Sequence, residues 1–200
     1  MKIYIIRHGE TLWNVQKKLQ GASDTELNEK GIELAKITGE ALEDVPFDCC
    51  FTSPLKRAKD TAMLVLNKRN IPVYEDARIQ EISFGEWEGQ DRACLPRKML
   101  NNFFHHMEKF RAPKGGEEIL DVCVRTKDFW EDMISREELQ DKTILVASHG
   151  CAVRALLQNV YENACMEDFW HGSCPSNCSV NIVEIKDNRA VLLKEDVIYY

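Results

Sequence analysis

The chain has 200 residues, with 26 lysines and arginines against 33 aspartates and glutamates, a formal net charge of −7. A hydrophobic content of 44% and a charged content of 30% are those of an ordinary folded domain and exclude disorder. The acidic balance argues against a general nucleic-acid binder, and no run nears the ~20 apolar residues of a membrane helix. Met1-Lys2 leads into only four apolar residues, too few for a signal-peptide core. A cytoplasmic protein of one domain over residues 1–200 is expected, without nucleic-acid or membrane partners. The eight cysteines lie mostly singly in apolar segments and read as free thiols. Cys174 and Cys178 could form half of a metal site, but no second close pair completes it, so no metal is expected.

Ile3 to Ile6 is a short β-branched run and reads as a buried strand. Residues 11–27 read as a loop with one helical turn. Asn28 caps a helix over residues 29–43, where Leu34, Ile37 and Ala41 recur at helical spacing. Residues 47–52 form a second strand. Ser53 and Pro54 then read as the cap and first residue of a helix with the stripe Leu55, Ala58, Ala62 and Val65. Residues 72–74 are a short third strand. Residues 84–117 gather three prolines and glycines on each side of a helical stretch at 97–110, an excursion that reads as a lid or cap. A helix at 118–136, a charge-free strand at 143–147 and a helix at 151–160 follow. Strands at 180–185 and 190–193, turned at Asp187-Asn188, close the chain antiparallel to each other. The alternation predicts an α/β fold, a three-layer sandwich with a mostly parallel central sheet flanked by helices and a small lid-like insertion.

Ligands of open α/β sheets bind beyond the carboxyl ends of the strands. Arg7 and His8 end the first strand, and His149 follows the charge-free one. Arg57 lies in the first turn of the helix after the second strand. Two arginines, two histidines and a helix N-terminus make a donor set for phosphate. Any one of these residues alone is more often structural; two strand ends together single out the crevice. Glu81, Glu86 and Glu88 are the carboxylates available for proton transfer. In the excursion, His105 and His106 read as a solvated face, Arg97, Lys98 and Arg111 could meet an anionic substrate with none of them singled out, and Trp87 reads as packing.

Arg7-His8-Gly9-Glu10-Thr11 with Trp13-Asn14 resembles the Arg-His-Gly signature of the histidine phosphatase superfamily, in its phosphoglycerate mutase-like branch. Five further blocks are similar to that family in the same order: Gln20-Gly21 to Ala35, Thr52 to Ala62 with Arg57, Glu81 with Phe84 to Gly89, Pro113 to Glu117, and Ser148-His149-Gly150. The resemblance implies that His8 attacks phosphorus to form a phosphohistidine, and that Arg7, Arg57 and His149 hold the phosphoryl oxygens. It implies that Glu81 moves the proton. Asn14, Gln20, Gly21, Gly150 and Cys151 complete the phosphate site, the Cys151 backbone N–H facing phosphate while its thiol is packed. No cofactor or metal is implied.

The substrate expected is a small phosphorylated metabolite, hydrolysed rather than isomerised. Family mutases that use 2,3-bisphosphoglycerate carry a longer insertion, an Arg-Arg pair, and an Arg and Tyr after the acid. Here Glu81 is followed by Ile82-Ser83-Phe84, and residues 82–117 hold no Arg-Arg pair. A 2,3-bisphosphoglycerate-dependent phosphoglycerate mutase is the alternative, and a non-catalytic phosphate-binding domain a further one. A homodimer is allowed but nothing demands it.

Overall fold

The computed structural model describes residues 1–187 and 189–200. Among these, the sheet has six strands: β1 (Lys2–Arg7), β2 (Cys49–Thr52), β3 (Val73–Glu75), β4 (Thr143–Ser148), β5 (Val180–Lys186) and β6 (Arg189–Val197). Their order is β3-β2-β4-β1-β5-β6. The first four run parallel, whereas β5 is antiparallel to both β1 and β6. The turn expected at Asp187-Asn188 includes Asn188, which lies outside the described residues.

Side chains alternate across a strand, so β1 feeds two cores. Ile3 and Ile5 pack with Ile144 and Val146 beneath α5 (Ile119–Ser135) and α6 (Gly150–Leu157), which supply Phe129, Trp130, Val153 and Leu156. Tyr4 and Ile6 face the other way, onto Leu34 and Ala35 of α2 (Glu29–Ala41) and Ala62 and Val65 of α3 (Lys56–Leu66). The three layers expected are therefore present. Burying each such Ile or Leu contributes about 1.5–3 kcal/mol. No helix among the described residues is long and apolar enough to cross a membrane.

Several element ends differ from expectation. The helix after β2 begins at Lys56 with Leu55 as its cap and no side-chain cap bond. Ser53 Oγ still accepts the Leu55 N–H over 3.3 Å, and the same hydroxyl also reaches His149 Nε2. The stretch expected at 97–110 is a shorter helix, α4 (Arg97–His105), followed by a tight 3₁₀ turn at Met107–Lys109. The capping box of Thr11 and Asn14 builds the predicted single turn, α1 (Leu12–Val15).

The 84–117 excursion has its own apolar cluster. Phe103 of α4 sits with Phe84, Leu95, Met99, Met107 and Phe110, and the cluster reaches Ile119, Val122, Ala155 and Trp170. This fastens the excursion over the carboxyl ends of β1 and β4. Trp87 packs against the same cluster, as expected.

Candidate active site

His8 leaves β1 with its backbone N–H donating to the Ser148 carbonyl over 2.9 Å, which ties the ends of β1 and β4 together. Its side chain is only 2% exposed. Nδ1 lies 2.7 Å from the Gly9 carbonyl, an acceptor, so Nδ1 must carry the proton. That leaves Nε2 with its lone pair. Burial, reinforced by Arg57 and Arg7, holds the His8 pKa well below the usual histidine value, so the ring is neutral. Gly9 approaches Gly31 of α2 so closely that a Cβ would lie 2.6 Å from the Gly31 carbonyl oxygen. Only glycine permits that approach.

His149 is 0% exposed, and its ring centroid is 5.2 Å from that of His8. Nε2 is 2.7 Å from Ser53 Oγ, and Nδ1 is buried without a partner among the described residues. Burial first, then Arg57, lowers its pKa well below the ordinary value.

Arg57 is also 0% exposed. Its Nη2 donates to the Gly21 carbonyl and its Nη1 to the Ser23 carbonyl, each over 2.7 Å, while Nε is buried without a partner among the described residues. Burial pulls its pKa down to about 10, partly offset by Glu81, so it stays charged at neutral pH. Arg7 Nη1 donates to the Pro175 carbonyl, and its Nε is likewise buried and unpartnered. Unpartnered buried N–H groups are costly unless an acceptor arrives. Two such guanidinium nitrogens beside a neutral imidazole therefore suit an incoming oxyanion.

The structure lines one cleft with Arg7, His8, Asn14, Gln20, Gly21, Arg57, Glu81, Gly150 and Cys151. His149 lies buried beside it. Asn14 Oδ1 accepts the Thr11 backbone N–H over 3.1 Å, which leaves Nδ2 to donate. Gln20 Oε1 is held by the hydroxyls of Thr11 and Thr25, so its side chain braces the loop. Gly21 has φ +56°, a conformation that favours glycine.

Two sequence expectations change here. The N-terminus of α3 is not an open anion site, because Ser53 Oγ accepts the Leu55 N–H and Asp24 Oδ1 accepts the Lys56 N–H. The Cys151 backbone N–H does not face phosphate either. It donates to Glu81 Oε2 over 3.3 Å, and the Ala152 N–H donates to Glu81 Oε1 over 3.2 Å. The acid has taken the helix N-terminus. The Cys151 thiol is buried, and burial together with Glu81 raises its pKa well above 9.0, so it remains a packed thiol.

The three candidate carboxylates separate cleanly. Glu81 lines the cleft. Glu86 is exposed. Glu88 accepts from the backbone N–H of Ala22 and of Phe84, both over 2.9 Å, and from Ser23 Oγ. It therefore staples the 20–23 loop to the cap.

The cleft's cap side was not legible in the sequence. Arg92, Lys18, Phe103, Phe104, Trp170 and Cys174 line it, whereas Arg97, Lys98, His105, His106 and Arg111 are exposed. Arg92 lies over the Phe104 ring at 5.2 Å, makes no ion pair among those described, and keeps a buried unpartnered Nε. The Arg92 N–H bond to the Lys17 carbonyl and the bridge between Lys18 and Asp91 bring the two cations together. No spacing relates positions so far apart. The only local signal is that Arg92 closely follows Gly89, which has φ +79° and ends the 85–89 turn.

Comparison with known proteins agrees with this geometry. Residues 3–196 match the family model for the histidine phosphatase superfamily, branch 1. The chain is 30% identical to phosphoserine phosphatase 1 of Hydrogenobacter thermophilus, over 98% of this chain and 92% of that one. It is 32% identical to 2,3-bisphosphoglycerate-dependent phosphoglycerate mutase 2 of Gloeobacter violaceus, over 79% of this chain and 74% of that one. The solved structure of Bacillus stearothermophilus YhfR superposes with a TM-score of 0.91 and 31% identity, covering 99% of this chain and 98% of that one. The chain belongs to branch 1 of the histidine phosphatase superfamily.

Proposed function

We propose that the protein is a phosphatase that hydrolyses a small phosphomonoester through a phosphohistidine on His8, without a metal ion. The observation that carries this reading is the tautomer of His8. The Gly9 carbonyl holds the Nδ1 proton, and burial beside two guanidiniums keeps the ring neutral, so Nε2 is a ready nucleophile. Nε2 attacks phosphorus in line while the bond to the ester oxygen breaks. Arg7, Arg57 and His149 meet the equatorial oxygens and stabilise their charge, the task a divalent cation performs elsewhere. Glu81 gives a proton to the departing alkoxide, then takes one from water as that water displaces phosphate from Nε2. A general acid here needs support, and the two N–H groups at the start of α6 hold the Glu81 carboxyl in place.

The test is release of phosphate from p-nitrophenyl phosphate in EDTA by wild type and by His8→Ala. Wild-type turnover that vanishes in the variant supports the reading. Full loss of wild-type activity in EDTA contradicts metal independence.

Arg92 and Lys18 favour a substrate that carries a second anionic group. They also support the alternative reading, a 2,3-bisphosphoglycerate-dependent mutase, as does the relative of that name. Given 3-phosphoglycerate and its bisphosphate primer, a mutase yields 2-phosphoglycerate with little free phosphate. The phosphatase yields phosphate and glycerate.

A further inference from the structure

We propose that Ser53 is a positioning residue: it donates its hydroxyl proton to Nε2 of His149 and so fixes that ring as the neutral Nδ1–H tautomer, whose free N–H serves the phosphoryl oxygens. The inference rests on the phosphatase reading for its last step only.

The argument is an account of donors and acceptors at one buried spot. Ser53 and His149 are both 0% exposed, so neither can turn to bulk water. A serine hydroxyl has one proton to donate and two lone pairs. One lone pair receives the Leu55 N–H over 3.3 Å. Among the described residues the hydroxyl's other neighbour within hydrogen-bond distance is His149 Nε2, at 2.7 Å. If Nε2 carried the proton, the Ser53 hydroxyl would donate to nothing. Nδ1 would then be a buried acceptor with no partner among the described residues. If Ser53 donates instead, Nε2 is satisfied as acceptor and the ring proton must sit on Nδ1. Nδ1 is the ring atom left buried and without a partner. Every group is then satisfied except one donor, and that donor stands beside His8 in a site with two further unpartnered guanidinium N–H groups. A doubly protonated ring would fill the same place, but burial beside Arg57, His8 and Arg7 disfavours it.

The backbone explains why the serine is in reach. Thr52 pairs with Ala147 as β2 runs parallel to β4, and the Ser53 N–H donates to the Ala147 carbonyl over 3.0 Å. The two strand ends therefore present Ser53 and His149 side by side.

The tautomer is read directly by nitrogen NMR of the His149 side chain in wild type, Ser53→Ala and Ser53→Thr. The expected wild-type spectrum has the proton on Nδ1 and an unprotonated, hydrogen-bonded Nε2. Ser53→Ala is expected to move population to the Nε2–H form and to lower kcat/KM by about tenfold or more, with weaker inhibition by inorganic phosphate. Ser53→Thr, which keeps the hydroxyl, is expected to restore both. A proton on Nε2 in the wild type overturns the proposal. So does an alanine variant whose tautomer and phosphate inhibition match the wild type. The wild-type spectrum answers without turnover, so failure of the phosphatase reading and failure of the tautomer assignment are seen separately.

Discussion

Arg57 Nη2 donates to the Gly21 carbonyl over 2.7 Å, across 36 positions of sequence. One buried guanidinium thus holds the loop at the mouth of the cleft and keeps Nε without a partner among the described residues. Lysine cannot serve two carbonyls with fixed geometry and still offer a third donor. Arg57→Lys is expected to lower kcat/KM by about 100-fold or more. It should also raise proteolytic nicking within residues 20–25. A variant with wild-type kinetics and loop protection contradicts the assignment.

Glu81 and Glu88 should respond differently to the same substitution. Glu81→Gln removes a proton donor, so its effect should grow with leaving-group pKa, mild on p-nitrophenyl phosphate and severe on alkyl phosphates. Glu88→Ala strips acceptors from two backbone N–H groups and should cost about 2–4 kcal/mol of stability, with no dependence on leaving group. The measurement pairs thermal denaturation with a leaving-group series. The reverse pattern would show that the acid had been misassigned.

His8 and His149 both have pKa values below the usual histidine value in the folded chain. Between those lowered values and the unfolded value of about 6.5, the unfolded chain binds more protons. Their contribution to stability is therefore complete above about pH 6.5 and is lost as pH falls, by up to ~1.4 kcal/mol per pH unit for each histidine. Denaturant midpoints at pH 7.5 and 5.5 should fall further apart in wild type than in His8→Ala. Equal pH dependence would mean that His8 titrates as it does in the unfolded chain.

Arg92→Gln should act on substrate choice. For a pair of phosphomonoesters differing by one carboxylate, the wild-type preference for the carboxylated member should shrink by about tenfold, mostly through KM. A preference that survives the substitution would move the second-anion site elsewhere.

The strand ends were legible because parallel α/β sheets put their chemistry in one place. Arg7, His8 and His149 needed only the apolar runs before them to be located. Glu81 could not be told from Glu88 by the residues alone, since both are carboxylates of one short irregular stretch. The distinction lies in which backbone N–H groups each accepts, from α6 in one case and from residues 22 and 84 in the other. Ser53 was half legible for a similar reason. Serine before proline reads as a cap, and only the parallel register of β2 with β4 reveals that its hydroxyl also serves the imidazole. Arg92 and Trp170 were invisible because tertiary packing of the cap, rather than periodicity, brings them to the cleft.

The central claim is that phosphorus is transferred to Nε2 of His8. Rapid acid-free quenching during turnover, followed by peptide mass spectrometry, tests it directly. The account predicts a phosphoryl group on His8, stable to alkali and labile to acid, that forms and decays at rates matching kcat and is absent from His8→Ala. Phosphate release at the wild-type rate with His8 never modified would contradict it.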